Sequence, residues 1–192
     1  MELQGDWAPS LKQIEQRALP LLRPNRQRRF LILRKMEHDA DEIIPGVWIG
    51  NMRSSMNENW LKRHGIVTVF NCTKQLPFHP SIQHPYRIPV DDNLQAAEIN
   101  NMERWAPEIA YKIWLEHKAG HPMLIHCHAG MQRSTTACAF FLMALTQRPL
   151  IQVMTFIKQK RNVAFEPRPN FAVALRGFEE LIRNQEKSLN RA

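Results

Sequence analysis

The 192-residue chain has few cysteines, no long apolar run and no repeats. Its three cysteines, Cys72, Cys127 and Cys138, are too few and too unevenly placed for a disulfide framework. The longest unbroken apolar run, Ala137 to Leu145, is well short of the roughly 20 residues a bilayer-spanning helix needs. Internal repeats and low-complexity tracts are missing too, and the ordinary globular composition argues against disordered, collagen-like and coiled-coil classes. The first residues include Glu2 and Asp6, with no apolar stretch leading to small residues, so they do not read as a secretory leader. Together these absences point to a soluble, intracellular protein in a reducing compartment, with cytoplasm and nucleus not distinguished.

Hydrophobic residues make up 44% of the chain and charged residues 23%, which fits one compact domain with a short extension. The balance of charge is basic: 26 Lys and Arg against 18 Asp and Glu, a formal net charge of +8. Such an excess favours anionic partners, among them phosphorylated proteins, nucleic acid and acidic lipid. Arg23, Arg26, Arg28, Arg29, Arg34 and Lys35 lie in a stretch without an acid, and a solvated basic face explains them as well as a binding patch does.

Residues 1–42 read as a basic, partly helical extension. Trp7, Leu11, Ile14 and Ala18 recur at helical spacing, and such a stripe needs a partner, for which a twofold-related copy of the chain is one choice. From residue 43 to 188 short apolar strands alternate with helices. Val47 to Gly50, Ile66 to Asn71, Tyr86 to Val90 and Met123 to Cys127 read as strands. Helices are predicted near residues 55–64, 97–118, 134–146, 149–161 and 170–187. Pro107 should kink or break the second of these, Pro149 should sit in the first turn of the fourth, and Asn170 should cap the last. The segment from Thr135 to Leu145 is apolar all round and should be the buried central helix. The pattern specifies an α/β fold with a central, mainly parallel sheet flanked by helices.

One stretch carries chemistry: Pro122-Met-Leu-Ile-His-Cys-His-Ala-Gly-Met-Gln-Arg-Ser-Thr-Thr136. It runs from a buried strand through a short loop into an apolar helix. Cys127 ends the strand, and Gly130 lets the loop turn back sharply. The N–H groups of His128, Ala129, Gly130, Met131 and Gln132, with those of the first helical turn, are expected to face inward as an anion nest. Arg133 can add a bidentate fork. The same field favours the Cys127 thiolate, a nucleophile aimed at phosphorus, and Ser134 is placed to donate its hydroxyl to the sulfur. A zinc site at His121, His126, Cys127 and His128 fits poorly, because alternate strand positions face apart and no second ligand pair stands at structural spacing. No metal and no cofactor is expected.

His126-Cys127-x-x-Gly130-x-x-Arg133-Ser134 resembles the signature of the cysteine-dependent protein phosphatases. Ala129-Gly130 and Thr136 resemble the dual-specificity branch. Ile44-Pro-Gly-Val-Trp-Ile-Gly50, Val67-Thr-Val-Phe-Asn-Cys-Thr73, Arg87-Ile-Pro-Val-Asp-Asp-Asn93 and the stretch from Lys160-Arg161 to Pro169-Asn170-Phe171 extend the likeness over about residues 43–185. The resemblance implies a protein tyrosine phosphatase-like fold and hydrolysis of phosphotyrosine and phosphoserine/threonine through a phosphocysteine. RNA 5′-phosphates or phosphoinositides are the alternative substrates, and a non-catalytic phosphoprotein-binding module is the remaining alternative. The resemblance places the general acid on Asp92, with Asp91 as the competitor. It also implies that Asn71 hydrogen-bonds the cysteine loop. His126 is expected to hold that loop through hydrogen bonds.

Overall fold

The computed structural model describes residues 39–189. The helical stripe, the arginine-rich stretch and the proposed twofold pairing of the extension lie outside the described residues.

Five strands form one sheet: β1 (Ala40–Ile44), β2 (Val47–Gly50), β3 (Thr68–Asn71), β4 (His84–Arg87) and β5 (Met123–His126), in the order β1-β2-β5-β3-β4. β1 runs antiparallel to β2, and every other pairing is parallel. The strand expected at Tyr86–Val90 lies earlier, at His84–Arg87, and β1 is an addition to the sequence reading. β1 begins at Ala40, ahead of the boundary read at residue 43, and its acidic Asp41 and Glu42 hide the strand signal. The hairpin from β1 to β2 turns at Gly46, whose φ is +76°.

Seven helices complete the described chain: α1 (Met52–Met56), α2 (Glu58–Arg63), α3 (Ala96–Arg104), α4 (Ala106–Lys118), α5 (Arg133–Thr146), α6 (Leu150–Lys160) and α7 (Ala172–Leu189). Asn51 caps α1 by accepting from the Arg53 and Ser54 N–H groups, and Asn57 caps α2 through the Trp60 N–H. The single helix expected over 97–118 is two helices that break at Trp105, so Pro107 falls in the first turn of α4, where its missing N–H costs nothing. Pro149 stands one residue before α6.

Side chains of successive strand residues point to opposite faces, and each face builds its own core. Val47, Ile49, Phe70, Met123 and Ile125 join the main core with α5, in which every residue from Ser134 to Met143 is buried. Val69 and Leu124 face the other way, onto Leu61 of α2, with Trp48 and Trp60 packed around them. Parallel strands covered on both sides read as unbroken apolar runs, which is why β5 was legible. The parallel strands end together at Gly50, Asn71, Arg87 and His126, and the loops that leave this edge carry the candidate site. No helix among the described residues is long and apolar enough to cross a membrane.

At the opposite edge Glu116 of α4 gathers four donors. Its Oε2 accepts from Thr68 Oγ1 at 2.7 Å, His84 Nδ1 at 2.7 Å and His121 Nδ1 at 2.8 Å, and its Oε1 from Tyr86 Oη at 2.8 Å. Burial by itself raises the carboxyl pKa, but these hydrogen bonds outweigh it and lower the value from 4.5 to about 2. A depressed carboxylate contributes stability above its unfolded pKa and loses it as pH falls towards the folded value. The urea midpoint should therefore fall between about pH 4.5 and pH 2, and Glu116→Gln should flatten that dependence. An equal slope in both proteins would show that Glu116 is not linked to folding.

Candidate active site

The loop between β5 and α5 is built by turning its carbonyls outward. His128 O accepts from the Met52 N–H at 3.1 Å, and Met131 O from the Phe165 N–H at 2.7 Å. Thr135 Oγ1 donates to Met131 O at 2.7 Å and to Gln132 O at 2.8 Å. Arg161 donates from Nε to Gly130 O at 2.7 Å and from Nη2 to Ala129 O at 3.4 Å. With the carbonyls of residues 128–132 held from outside, the amides of the same residues are left for the concave face. Gly130 is required here: its φ is +69°, and a Cβ would stand 2.6 Å from both Gly50 O and Arg161 Nη2.

Cys127 lies at the floor, 2% exposed. Its Sγ accepts from the Gly130 N–H at 3.2 Å and stands 3.3 Å from Ser134 Oγ. Burial pushes the thiol pKa up, yet the net shift is downward. The Ser134 hydroxyl and N–H, the Arg133 guanidinium and the Gly130 N–H all stabilise the thiolate. Burial raises the thiols of Cys72 and Cys138 instead, so of the three cysteines Cys127 alone is biased towards the nucleophilic form.

Arg133 opens α5, and its Nη1 donates to Val90 O at 3.0 Å, tying the helix to the loop that follows β4. Its Nε is buried without a protein partner, which suits an incoming oxyanion. On that same loop Asp91 and Asp92 have different surroundings. Asp91 Oδ2 pairs with Lys74 Nζ at 2.9 Å, and its N–H donates to Glu98 Oε2 at 2.8 Å. Asp92 Oδ1 accepts from Asn170 Nδ2 at 2.7 Å. The Asn170 N–H donates to Gln132 Oε1 at 3.0 Å, and Gln132 Nε2 donates to the carbonyls of Glu166 and Arg168. Asp92 is therefore joined through Asn170 and Gln132 to the cysteine loop, whereas Asp91 is joined to Lys74.

The sequence-predicted residues Cys127, Gly130, Gln132, Arg133 and Ser134 converge, with His128 and Ala129 exposed on the rim and Met131 half-buried. Three expectations need correction. Asn71 does not reach the cysteine loop: its amide donates to Leu76 O, and its Oδ1 accepts from Thr73, so it shapes the turn after β3. The ring of His126 makes no hydrogen bond of full geometry, and the one loop group it engages is the Cys127 backbone. Burial, aided by Arg87 and Arg133 and opposed by the nearby Cys127 backbone, lowers its pKa to about 4 and keeps it neutral. Asn170 stands two residues ahead of α7, and its amide reaches Asp92.

Sequence reasoning missed the roles of Arg161 and Asp41. Arg161 Nη1 meets Asp41 Oδ2 at 2.8 Å, with the two side chains only 4% and 8% exposed. The one available signal was the Lys160-Arg161 pair. Its acidic partner lies 120 residues earlier, on an unrecognised strand.

Residues 47–181 match the family model for the dual specificity phosphatase catalytic domain. The human dual specificity protein phosphatase 2 is 35% identical over 143 residues, which cover 73% of this chain and 44% of that protein. The human dual specificity protein phosphatase 1 is 30% identical over 142 residues, covering 73% of this chain and 37% of the relative. The chain thus spans less than half the length of these curated relatives. Among solved structures, human DUSP28 superposes with a TM-score of 0.64 at 25% identity, covering 77% of this chain and 97% of that one. A mouse putative dual specificity phosphatase, complexed with zinc tungstate, gives 0.66 at 25% identity, covering 79% and 93%. A strand–loop–helix anion cradle around a thiolate defines a cysteine-dependent phosphatase fold. The chain belongs to the dual specificity phosphatase family.

Two outcomes follow from the geometry. Arg161→Met breaks the buried ion pair with Asp41 and frees two loop carbonyls, so stability should fall by about 3–5 kcal/mol in urea unfolding and activity at least tenfold. Asp41→Asn combined with Arg161→Met should recover part of the stability but not the activity. A fully active double variant would show that Arg161 does not shape the loop. The rate of Cys127 alkylation by iodoacetate should stay high below the ordinary thiol pKa, and Ser134→Ala should move that pH profile upward. An unshifted profile would remove Ser134 from thiolate stabilisation.

Proposed function

We propose that the chain hydrolyses phosphotyrosine and phosphoserine/threonine in proteins through a phosphocysteine intermediate. The observation that carries this reading is the Cys127 sulfur beneath a loop whose carbonyls are all turned away from it. A phosphate monoester fits the amides of residues 128–132 and the Arg133 guanidinium, which neutralise its charge and hold phosphorus in line with Sγ. The S–P bond forms as the P–O ester bond breaks, and Asp92 gives its proton to the departing oxygen. Water then attacks phosphorus, Asp92 takes the water's proton, and the P–S bond breaks to release inorganic phosphate. The Ser134 hydroxyl stabilises the thiolate leaving in this second step.

Asp92 is favoured over Asp91 because Asn170 and Arg133 tie its loop to the cradle, while Lys74 engages Asp91. A protein substrate is supported by the relatives' names and by the loop, whose variable positions His128, Met131 and Gln132 offer no Lys or Arg for a polyanionic lipid headgroup.

Cys127→Ser should retain phosphate binding and lose turnover to below about a thousandth of wild type, a few kcal/mol of barrier. Asp92→Asn should slow hydrolysis of alkyl phosphoserine more than that of activated aryl phosphates, and Asp91→Asn should not. The reverse pattern would transfer the acid to Asp91. Faster phosphate release from phosphoinositides or 5′-phosphorylated RNA than from phosphopeptides would overturn the substrate class and leave the chemistry standing.

A further inference from the structure

The Glu116 cluster lies on the edge of the sheet away from Cys127, and neither the family signature nor the proposed reaction uses it. Its ligating residues come from three places that only the fold brings together: His84 at the start of β4, Glu116 in the last turns of α4, and His121 in the loop leading to β5. Their imidazole and carboxylate ligand atoms lie within 4.8 Å of one another. The rings meet edge to face with centroids 4.6 Å apart.

The hydrogen bonding at this cluster is unusual in its count. Glu116 Oε2 faces three donors, Thr68 Oγ1, His84 Nδ1 and His121 Nδ1, all at 2.7–2.8 Å. A carboxylate oxygen has two lone pairs, so one donor exceeds its capacity. Because an ionised carboxylate only accepts, each Nδ1 must carry its proton when these contacts are made. A divalent cation in place of the two Nδ1 protons would satisfy all three ligands at once. We propose that His84, Glu116 and His121 form a His₂Glu site for a divalent transition-metal ion, zinc being the best match to imidazole and carboxylate donors.

The dimensions suit this. Tetrahedral zinc with bonds near 2.0–2.1 Å holds neighbouring ligand atoms about 3.3 Å apart, so the two N···O contacts need to open by only about half an ångström. The side chains of His84 and His121 are 35% and 36% exposed, free to make that adjustment and to leave a water in the fourth position. The Glu116 side chain, 10% exposed, is already oriented by the Thr68 and Tyr86 hydroxyls, the outer partners a ligating carboxylate needs. On binding, a neutral imidazole gives up its Nδ1 proton and takes one from solvent on Nε2, while an imidazolium releases one, so affinity falls in acid. The ion would bridge β4, α4 and the approach to β5.

The test uses untagged full-length protein carrying Cys127→Ser, which removes the active-site thiolate as a competing ligand. Equilibrium dialysis against zinc should give one ion per chain, and thermal unfolding should move upward with zinc concentration. With cobalt(II), the visible bands should be those of a tetrahedral nitrogen–oxygen site, without thiolate charge transfer. Adding His121→Asn or His84→Asn should weaken zinc binding at least about a hundredfold and abolish the thermal shift, whereas Tyr86→Phe should weaken it about tenfold. Circular dichroism shows whether each variant is folded, and the two half-buried histidines provide independent replacements. No bound zinc in the Cys127→Ser protein, or the same stoichiometry and affinity after both histidine substitutions, would overturn the proposal.

Discussion

An anion cradle made of consecutive backbone amides forces the carbonyls of the same residues to face the other way, and a buried carbonyl must find a donor. The structure around Cys127 is organised by that requirement. Donors arrive from the first residue of α1 (the Met52 N–H), from the segment after α6 (the Phe165 N–H), from Thr135 within α5 and from Arg161. Arg161 is itself an expensive group to bury and is tolerated because Asp41 neutralises it. The shape of the loop thus depends on an edge strand, a helix end and a glycine contact with Gly50, none of which touches a substrate.

The same arrangement sets the electrostatics of the thiol. Desolvation opposes a charged sulfur, and a cysteine in ordinary core surroundings, such as Cys138, is driven towards the neutral form. Cys127 escapes because the loop delivers the Gly130 N–H and the start of α5 delivers the Ser134 hydroxyl and N–H with the Arg133 guanidinium. Arg133 also holds Val90 O, and Gln132 holds Asn170, which holds Asp92. The acid-bearing loop and the cysteine loop are therefore one hydrogen-bonded unit.

Legibility from sequence followed the range of the interactions. β5 and α5 were readable because both are apolar through the sheet and the core, so periodicity and burial agree. The edge strand β1 was not, since two of the five residues in Ala40-Asp41-Glu42-Ile43-Ile44 are acidic and only pairing with β2 makes it a strand. The break between α3 and α4 was signalled by Pro107, although the chain bends at Trp105. Asn170 looked like a helix cap because Asn before a helix usually is one, but a carboxylate 78 residues away claimed its amide.

By itself the sequence determined the α/β class, the central helix, the nucleophile and the arginine, because a strand, a glycine turn and a helix N-terminus within ten residues leave one local geometry for Cys127 and Arg133. Only the tertiary structure decided what supports that geometry. The pairing of Arg161 with Asp41, the separation of Asp91 from Asp92, the use of Asn71 in its own turn and the meeting of His84, Glu116 and His121 all join residues remote in sequence. Such contacts come into being when the strands align and the helices cover them, and no local pattern in the chain encodes the partner.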